Sequence, residues 1–204
     1  MVVDLAFTPS DFLSVEEVPV LTWTSQDSAA IFFEEFYGKR PVVIRGLLEG
    51  WSAKLWNPSS IADLCLAART PVYAYDTGGT EWASLKEVTT MKLSEYLQSE
   101  FGKPATAGDA QGPGLYALEV SMRRECPRLL DDVRIPPPFT DDLLVRYYKK
   151  SAWPTLIAGP RGTRSGLHRD THDLPFWMAL LHGRKRWRVF ADGDQFLSQD
   201  YHSE

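Results

Sequence analysis

Residues 166–177 read GLHRDTHDLPFW and place His168, Asp170, His172 and Asp173 within six consecutive positions. The chain has four histidines, and two of them are in this segment. Imidazoles and carboxylates at this density can hold a metal, work as an acid–base pair, or form a polar loop ahead of the apolar run that follows. If the segment is extended, residues i and i+2 face the same side. His168 and Asp170 then point into one concavity and can share a metal. One imidazole and one carboxylate, completed by a second imidazole from elsewhere, form the facial triad of non-haem Fe(II) oxygenases, which leaves positions open for cosubstrate and O2. The alternative is an ordinary polar pair at a strand end.

His172 has the same strand parity but cannot join them in a straight strand. Cα atoms at i and i+4 lie about 13 Å apart, at about 3.3 Å per residue, so three successive same-face side chains diverge. His172 and Asp173 are therefore read as rim residues. His182 falls in a turn and is expected to be exposed.

A second chemical feature lies in RKRWRV, residues 184–189. Strand alternation puts Arg184, Arg186 and Arg188 on one face and Lys185, Trp187 and Val189 on the other. The arginine face must be the solvated one, so Lys185 is sent inward, where an unpaired ammonium costs several kcal/mol, roughly 2 or more. The adjoining run FWMALL, residues 176–181, contains no acid. A small-molecule carboxylate would satisfy Lys185. Otherwise it snorkels to water from a strand end or pairs with an acid elsewhere. Ser165, three residues before His168, is placed to donate a hydrogen bond to the same carboxylate, although serines beside glycine are commonly turn residues.

These groups need a scaffold. QDSAAIFFEEFY (26–37) reads as a helix with Ser25 as N-cap, and KRPVVIRG (39–46) as a strand. SSIADLCLAA (59–68) aligns Ile61, Leu64, Cys65 and Ala68 on one helical face. A strand at 71–75, a turn at 77–79, a helix at 93–101, a loop at 102–114 and a strand at 115–120 follow. IPPPFTDDLL (135–144) is a proline stop and a new helix start, with Thr140 capping. From Trp153 the pattern is strand-like, at 155–159, 165–170, 176–181 and 184–190, with His182-Gly183 as a hairpin turn.

Composition sets the outer bounds. Over 204 residues, 44% are apolar, 12% aromatic and 24% charged, which is globular and not disordered. The net charge of −5 weighs against general nucleic-acid binding. Cys65 and Cys126 are too few for a disulfide framework and read as free core thiols of a reducing compartment. The N-terminus shows no signal-peptide pattern, and no apolar run reaches the ~20 residues of a membrane span. The expectation is an intracellular protein, nuclear or cytoplasmic, not secreted and not bound to a membrane.

With His168, Asp170 and Lys185 placed, the sequence resembles the Jumonji-C (JmjC) cupin-like oxygenases. RPVVIRGLLEGWSA (40–53) looks like the segment leading into that domain. PPFTDDLL, AGPRGTRSGLHRD and ALLHGRKRWRVF look like its iron and 2-oxoglutarate segments. The match is collinear from about Phe36 to Phe190. The order FTDDL…GP…SG.H.D and the His168-to-Lys185 spacing are most similar to the lysyl-hydroxylase/arginine-demethylase-like branch.

The resemblance implies one α+β domain over 1–204. Residues 1–150 would form a mixed α/β part with N-terminal helices, and 151–204 the first strands of a double-stranded β-helix (jelly roll). It implies Fe(II) held by His168 and Asp170, and 2-oxoglutarate held through Lys185 with help from Ser165 and Tyr116. The reaction would be hydroxylation or demethylation of a protein side chain, with a small molecule or RNA as other substrate classes. The chain departs from the branch at Met178, where an asparagine is expected near the cosubstrate; a thioether cannot replace an amide's hydrogen bonds.

The second histidine of the triad has no clear source. His202 lies 34 residues after His168 in the polar SQDYHSE, which leaves little room for several intervening strands of about 5–6 residues; it stays the alternative to a third ligand that the chain lacks. The expectation is a chain that stops before its third ligand, with an incomplete β-helix that exposes Phe176, Met178 and Leu180 and self-associates. Two other readings use the same residues: a non-catalytic cupin-like binding module with an incomplete metal site, and an enzyme using H-x-D for Zn or Mn.

Overall fold

The computed structural model describes residues 16–24, 26–102, 114–148, 152–170 and 174–190. A short parallel pair, β1 (Val20–Thr22) and β2 (Val43–Arg45), stands apart from the main sheet. Between them lies α1 (Gln26–Ile31), which continues as a π-helical turn over Phe32–Phe36. The single helix expected over 26–37 is thus two geometries. The π turn buries Phe32 and Phe36 on one side. Ser25, expected as the cap, lies outside the described residues.

α2 (Pro58–Leu64) begins at a capping box. Asn57 accepts from the Ser60 amide at 2.9 Å, and the Ser60 hydroxyl accepts from the Asn57 amide at 2.9 Å. The stripe Ile61, Cys65 and Ala68 is buried, as the helical spacing predicts.

The main sheet is antiparallel, in the order β4-β3-β5-β6. Its strands are β3 (Arg69–Tyr75), β4 (Leu85–Lys92), β5 (Tyr116–Ser121) and β6 (Thr155–Ala158). α3 (Leu93–Phe101) packs beside α2 and buries Leu93, Tyr96 and Leu97. The core runs through Trp51, Trp56, Val72, Leu93, Tyr96, Val120 and Leu129. Tyr96 ties the sheet together at the backbone: its hydroxyl accepts from the Ala117 amide at 3.3 Å and lies 2.7 Å from the Ala158 carbonyl. α4 (Met122–Glu125) follows β5 directly, and α5 (Leu143–Tyr148) precedes β6.

Several sequence expectations are corrected here. β4 has no counterpart in the sequence pattern because only Leu85 is buried and nearly every other residue of this edge strand is exposed. The cap of α5 is Asp142, which accepts from Leu144 and Val145 amides at 2.9 and 3.1 Å; Thr140 instead donates to the Pro137 carbonyl at 3.1 Å. Among the described residues, segments 165–170, 176–181 and 184–190 carry no strand ladder beyond a single bridge residue at His168. Alternation reports which side chains face inward, not whether the backbone is paired, and that alternation holds from Arg184 to Arg188. Lys185 and Trp187 are half-buried while Arg184, Arg186 and Arg188 are exposed. Val189, expected inward, is exposed, as is Phe176; Met178 and Leu180 are half-buried.

Cys65 and Cys126 are not free thiols. They form a disulfide across 61 residues. Both lie in the main core, where the end of α2 meets the end of α4. A crosslink of that loop length stabilises by about 4 kcal/mol through the unfolded chain. Cys65→Ala/Cys126→Ala is therefore expected to lower the urea midpoint strongly, and a reductant is expected to shift the midpoint of the parent chain alone. Equal midpoints for parent and variant would contradict this. Among the described residues, no helix is long and apolar enough to cross a membrane.

Candidate functional site

His168 and Asp170 do converge. Nε2 of His168 lies 3.5 Å from Oδ1 of Asp170, with the histidine side chain 19% and the aspartate 38% exposed. Their backbone is extended, with a single bridge residue at His168, so the i, i+2 geometry survives without a ladder. His168 Nδ1 sits 2.7 Å from the Gly166 carbonyl. A carbonyl only accepts, so Nδ1 carries the proton and Nε2 is left to meet a cation or a shared proton on the Asp170 side. Burial pulls the His168 pKa down. Hydrogen bonds to Asp170 and Gly166 outweigh it and leave the imidazole above its ordinary value.

Lys185 points inward, as the alternation requires. Its ammonium donates to the Tyr116 hydroxyl at 3.2 Å and approaches the Met178 sulfur at 3.5 Å. It also lies 4.5 Å from the centre of the Trp187 ring. Among the described residues, no carboxylate is within ion-pair distance of it. Burial pushes its pKa down to about 8, against the opposing attraction of Asp170. Burial likewise raises Tyr116 to about 12, so this phenol stays protonated. The Met178 thioether thus stands beside the ammonium where an amide was expected from the resemblance.

Ser165 is exposed and makes no side-chain hydrogen bond among the described residues. His182 is exposed, as expected for a turn. His172, Asp173 and His202 lie outside the described residues. Among the described residues, no group of three or more His, Cys, Asp or Glu side chains is gathered as a metal site.

Sequence reasoning missed two components. A cleft of about 290 Å³ is lined by Tyr73, Glu81, Trp82, Leu85, Leu118 and Glu119. Glu119 reaches it from a β-bulge in β5, at φ +62°. Burial, then the nearby Asp170 charge, raises its carboxyl pKa. The other is Trp82 itself, whose indole packs on the His168 ring with centroids 4.2 Å apart. Neither residue stands in a periodic pattern, so spacing carried no signal for them.

The His168–Asp170 pair fits a divalent cation as two of its donors. The donors are an imidazole nitrogen, which must lose its proton to bind, and a carboxylate oxygen, and the other ring nitrogen is anchored to a backbone carbonyl, the usual support of a ligating histidine. The unpaired, inward-facing Lys185 fits a carboxylate group.

Comparison with known proteins places the chain in a family. A family model described as a cupin-like domain matches residues 28–196. The chain is 26% identical over 180 residues to the lysine-specific demethylase JMJ21 of Arabidopsis thaliana, covering 84% of this chain and 17% of that protein. It is 25% identical over 179 residues to the arginine-specific demethylase JMJ22 of the same plant, covering 82% of this chain and 32% of the relative. Against the human 2-oxoglutarate and iron-dependent oxygenase JMJD4 it is 26% identical over 139 residues, covering 66% of this chain and 31% of that protein. The chain spans about a third or less of the length of these three relatives. The matched span takes in β2 to β6, the His168–Asp170 pair and Lys185, and with it the chain belongs to the cupin-like domain family of JmjC type.

Proposed function

We propose that this chain carries the iron and 2-oxoglutarate site of an oxygenase that hydroxylates or demethylates a protein side chain. The observation that carries the reading is Lys185: a half-buried ammonium with a phenol and a thioether for partners and, among the described residues, no carboxylate within ion-pair distance, yet close enough to Asp170 to feel its charge. A 2-oxoglutarate carboxylate would complete it. The activities by which the relatives are named supply the reaction class.

In this reading His168 and Asp170 hold Fe(II), and Lys185 with Tyr116 holds the distal carboxylate. Ser165 is exposed, so the cosubstrate assignment rests on the other two residues. Iron and 2-oxoglutarate, when bound, supply the O2-dependent oxidation of a substrate C–H bond. The protein's share is to fix two donors, neutralise the carboxylate and admit the substrate side chain. The cleft of Tyr73, Glu81, Trp82 and Glu119 beside His168 is the proposed entrance. A double-stranded β-helix is the proposed framework, supported by family membership and the antiparallel β4-β3-β5-β6 sheet. The compartments proposed are nucleus and cytoplasm, on the strength of the demethylase relatives alone, since the Cys65–Cys126 disulfide removes the argument from free thiols.

The test is consumption of 2-oxoglutarate with Fe(II) and ascorbate. The expected result is Fe(II)-dependent succinate release that rises when basic protein or peptide substrates are added. No succinate under any substrate condition would contradict the oxygenase reading and favour the non-catalytic module.

A further inference from the structure

Among the described residues, the segment that carries His168 and Asp170 has one bridge residue, His168, and no longer strand ladder, yet two donors must be held in register to share one cation. The neighbouring corner at Trp82–Ser84 supplies a restraint. The Gly166 amide donates to the Ala83 carbonyl at 2.6 Å. Trp82 Nε1 donates to the Arg169 carbonyl at 3.0 Å. Between these two bonds the indole rests on the His168 ring, 4.2 Å between centroids at 61°. The contacts therefore fall before, on and after His168, and the last lies on the residue between the two donors.

The corner is built for this approach. Ala83 and Ser84 both adopt left-handed backbone, φ +57° and +52°, which two successive non-glycine residues rarely do. Burial of Ala83, Ser84 and Leu85 holds them there, with bonds from the Ser84 amide to the Glu81 carbonyl and from the Asp76 amide to the Ser84 carbonyl. The turn aims the Ala83 carbonyl and the Trp82 indole at the same strip of chain. The approach also explains Gly166. A Cβ there would stand 2.7 Å from the Ser84 hydroxyl. Strain of this kind collects where surrounding structure over-determines a functional geometry.

We infer that Trp82 is a positioning residue: its indole and its Nε1–H clamp the His168–Asp170 segment from a corner more than 80 residues away in sequence. Its effect on metal binding rests on the oxygenase reading above, whereas its effect on His168 does not. Trp82 is only half-buried and belongs to the smaller cluster around Leu85 and Tyr116, so filling the main core is not its role.

The experiment uses the full chain, with Trp82→Phe and Trp82→Ala, and Trp56→Phe as a control. Trp56 also donates its indole N–H, to Asp132 at 2.8 Å, but stands in the main core. Two readouts are taken on folded protein. The ¹⁵N shifts of the His168 ring without metal report whether one tautomer, Nδ1–H, is locked. Electron paramagnetic resonance of free Mn(II) reports affinity for the metal alone. In Trp82→Ala the expected results are mixed tautomers and Mn(II) affinity lower by about 10- to 100-fold, the range for losing a group that orients a ligand. Trp82→Phe keeps a ring but loses the N–H, and is expected to fall between parent and alanine. Trp56→Phe is expected to lower the melting temperature and leave both readouts alone.

A folded Trp82→Ala protein with the parental His168 tautomer and parental Mn(II) affinity would overturn the clamp, as would equal losses in Trp56→Phe. If the parent chain itself binds no Mn(II), the iron reading fails, and the clamp then stands or falls on the His168 ring shifts.

Discussion

In Lys185→Ala, affinity for 2-oxoglutarate is expected to fall by roughly 10- to 100-fold, the worth of one charge-assisted hydrogen bond of about 1.5–3 kcal/mol. The fold is expected to lose little, because the substitution removes a half-buried ammonium that has no carboxylate partner among the described residues. That combination separates a ligand-binding lysine from a structural one, whose removal would lower both. Isothermal titration with 2-oxoglutarate, set beside thermal melts, checks it.

The acidity of Lys185 adds a signature in pH. Its pKa is pushed down to about 8 from an ordinary 10.5, so the unfolded chain holds this proton more tightly than the folded one. Folded stability therefore rises as pH climbs from about 8 toward 10.5, where the buried charge is relieved. Ligand binding runs the other way. The ammonium that meets a carboxylate is fully present below about pH 8 and is lost above it, so affinity falls by up to tenfold per pH unit, about 1.4 kcal/mol each. Lys185→Arg keeps its charge at all these values and is expected to flatten the dependence.

Asp170→Ala is expected to have the largest effect on metal. It removes one of the two donors that converge among the described residues, so Mn(II) or Fe(II) affinity should drop by more than about 100-fold, beyond the loss seen when a supporting group is removed. A second effect follows at His168. The Asp170 bond is part of what lifts its pKa against burial, so the imidazole of the variant should titrate at lower pH than in the parent chain. A chain that lost metal with an unmoved His168 titration would mean that the two side chains are not coupled as their 3.5 Å separation requires.

The chemistry was more legible in the sequence than the architecture around it. The H-x-D pair converges because parity fixes which side chains share a face, and parity holds in any extended segment, laddered or not. Lys185 turns inward for the same reason: three arginines on the opposite face leave it nowhere else to go. Pairing was not legible. Among the described residues, segment 176–181 is apolar throughout and 184–188 alternates, both like strands, yet neither makes a ladder, and β4 makes a ladder with almost no alternation, since an edge strand exposes both its faces. The disulfide escaped because Cys65 and Cys126 are brought together only by the meeting of α2 and α4 in the core. Trp82 escaped for a related reason. Its partners lie more than 80 residues on, and a lone tryptophan ahead of an exposed edge strand has no spacing to betray it.

The central claim is that His168, Asp170 and Lys185 form one site, in which a metal and a dicarboxylate bind together. The direct measurement is titration of 2-oxoglutarate into the parent chain with and without Mn(II), repeated in Asp170→Ala and Lys185→Ala. If the site is one, Mn(II) tightens 2-oxoglutarate binding in the parent chain, Asp170→Ala abolishes that tightening, and Lys185→Ala weakens binding whether or not the metal is present. Affinity for 2-oxoglutarate that is the same with and without Mn(II), and the same in both variants, would contradict it.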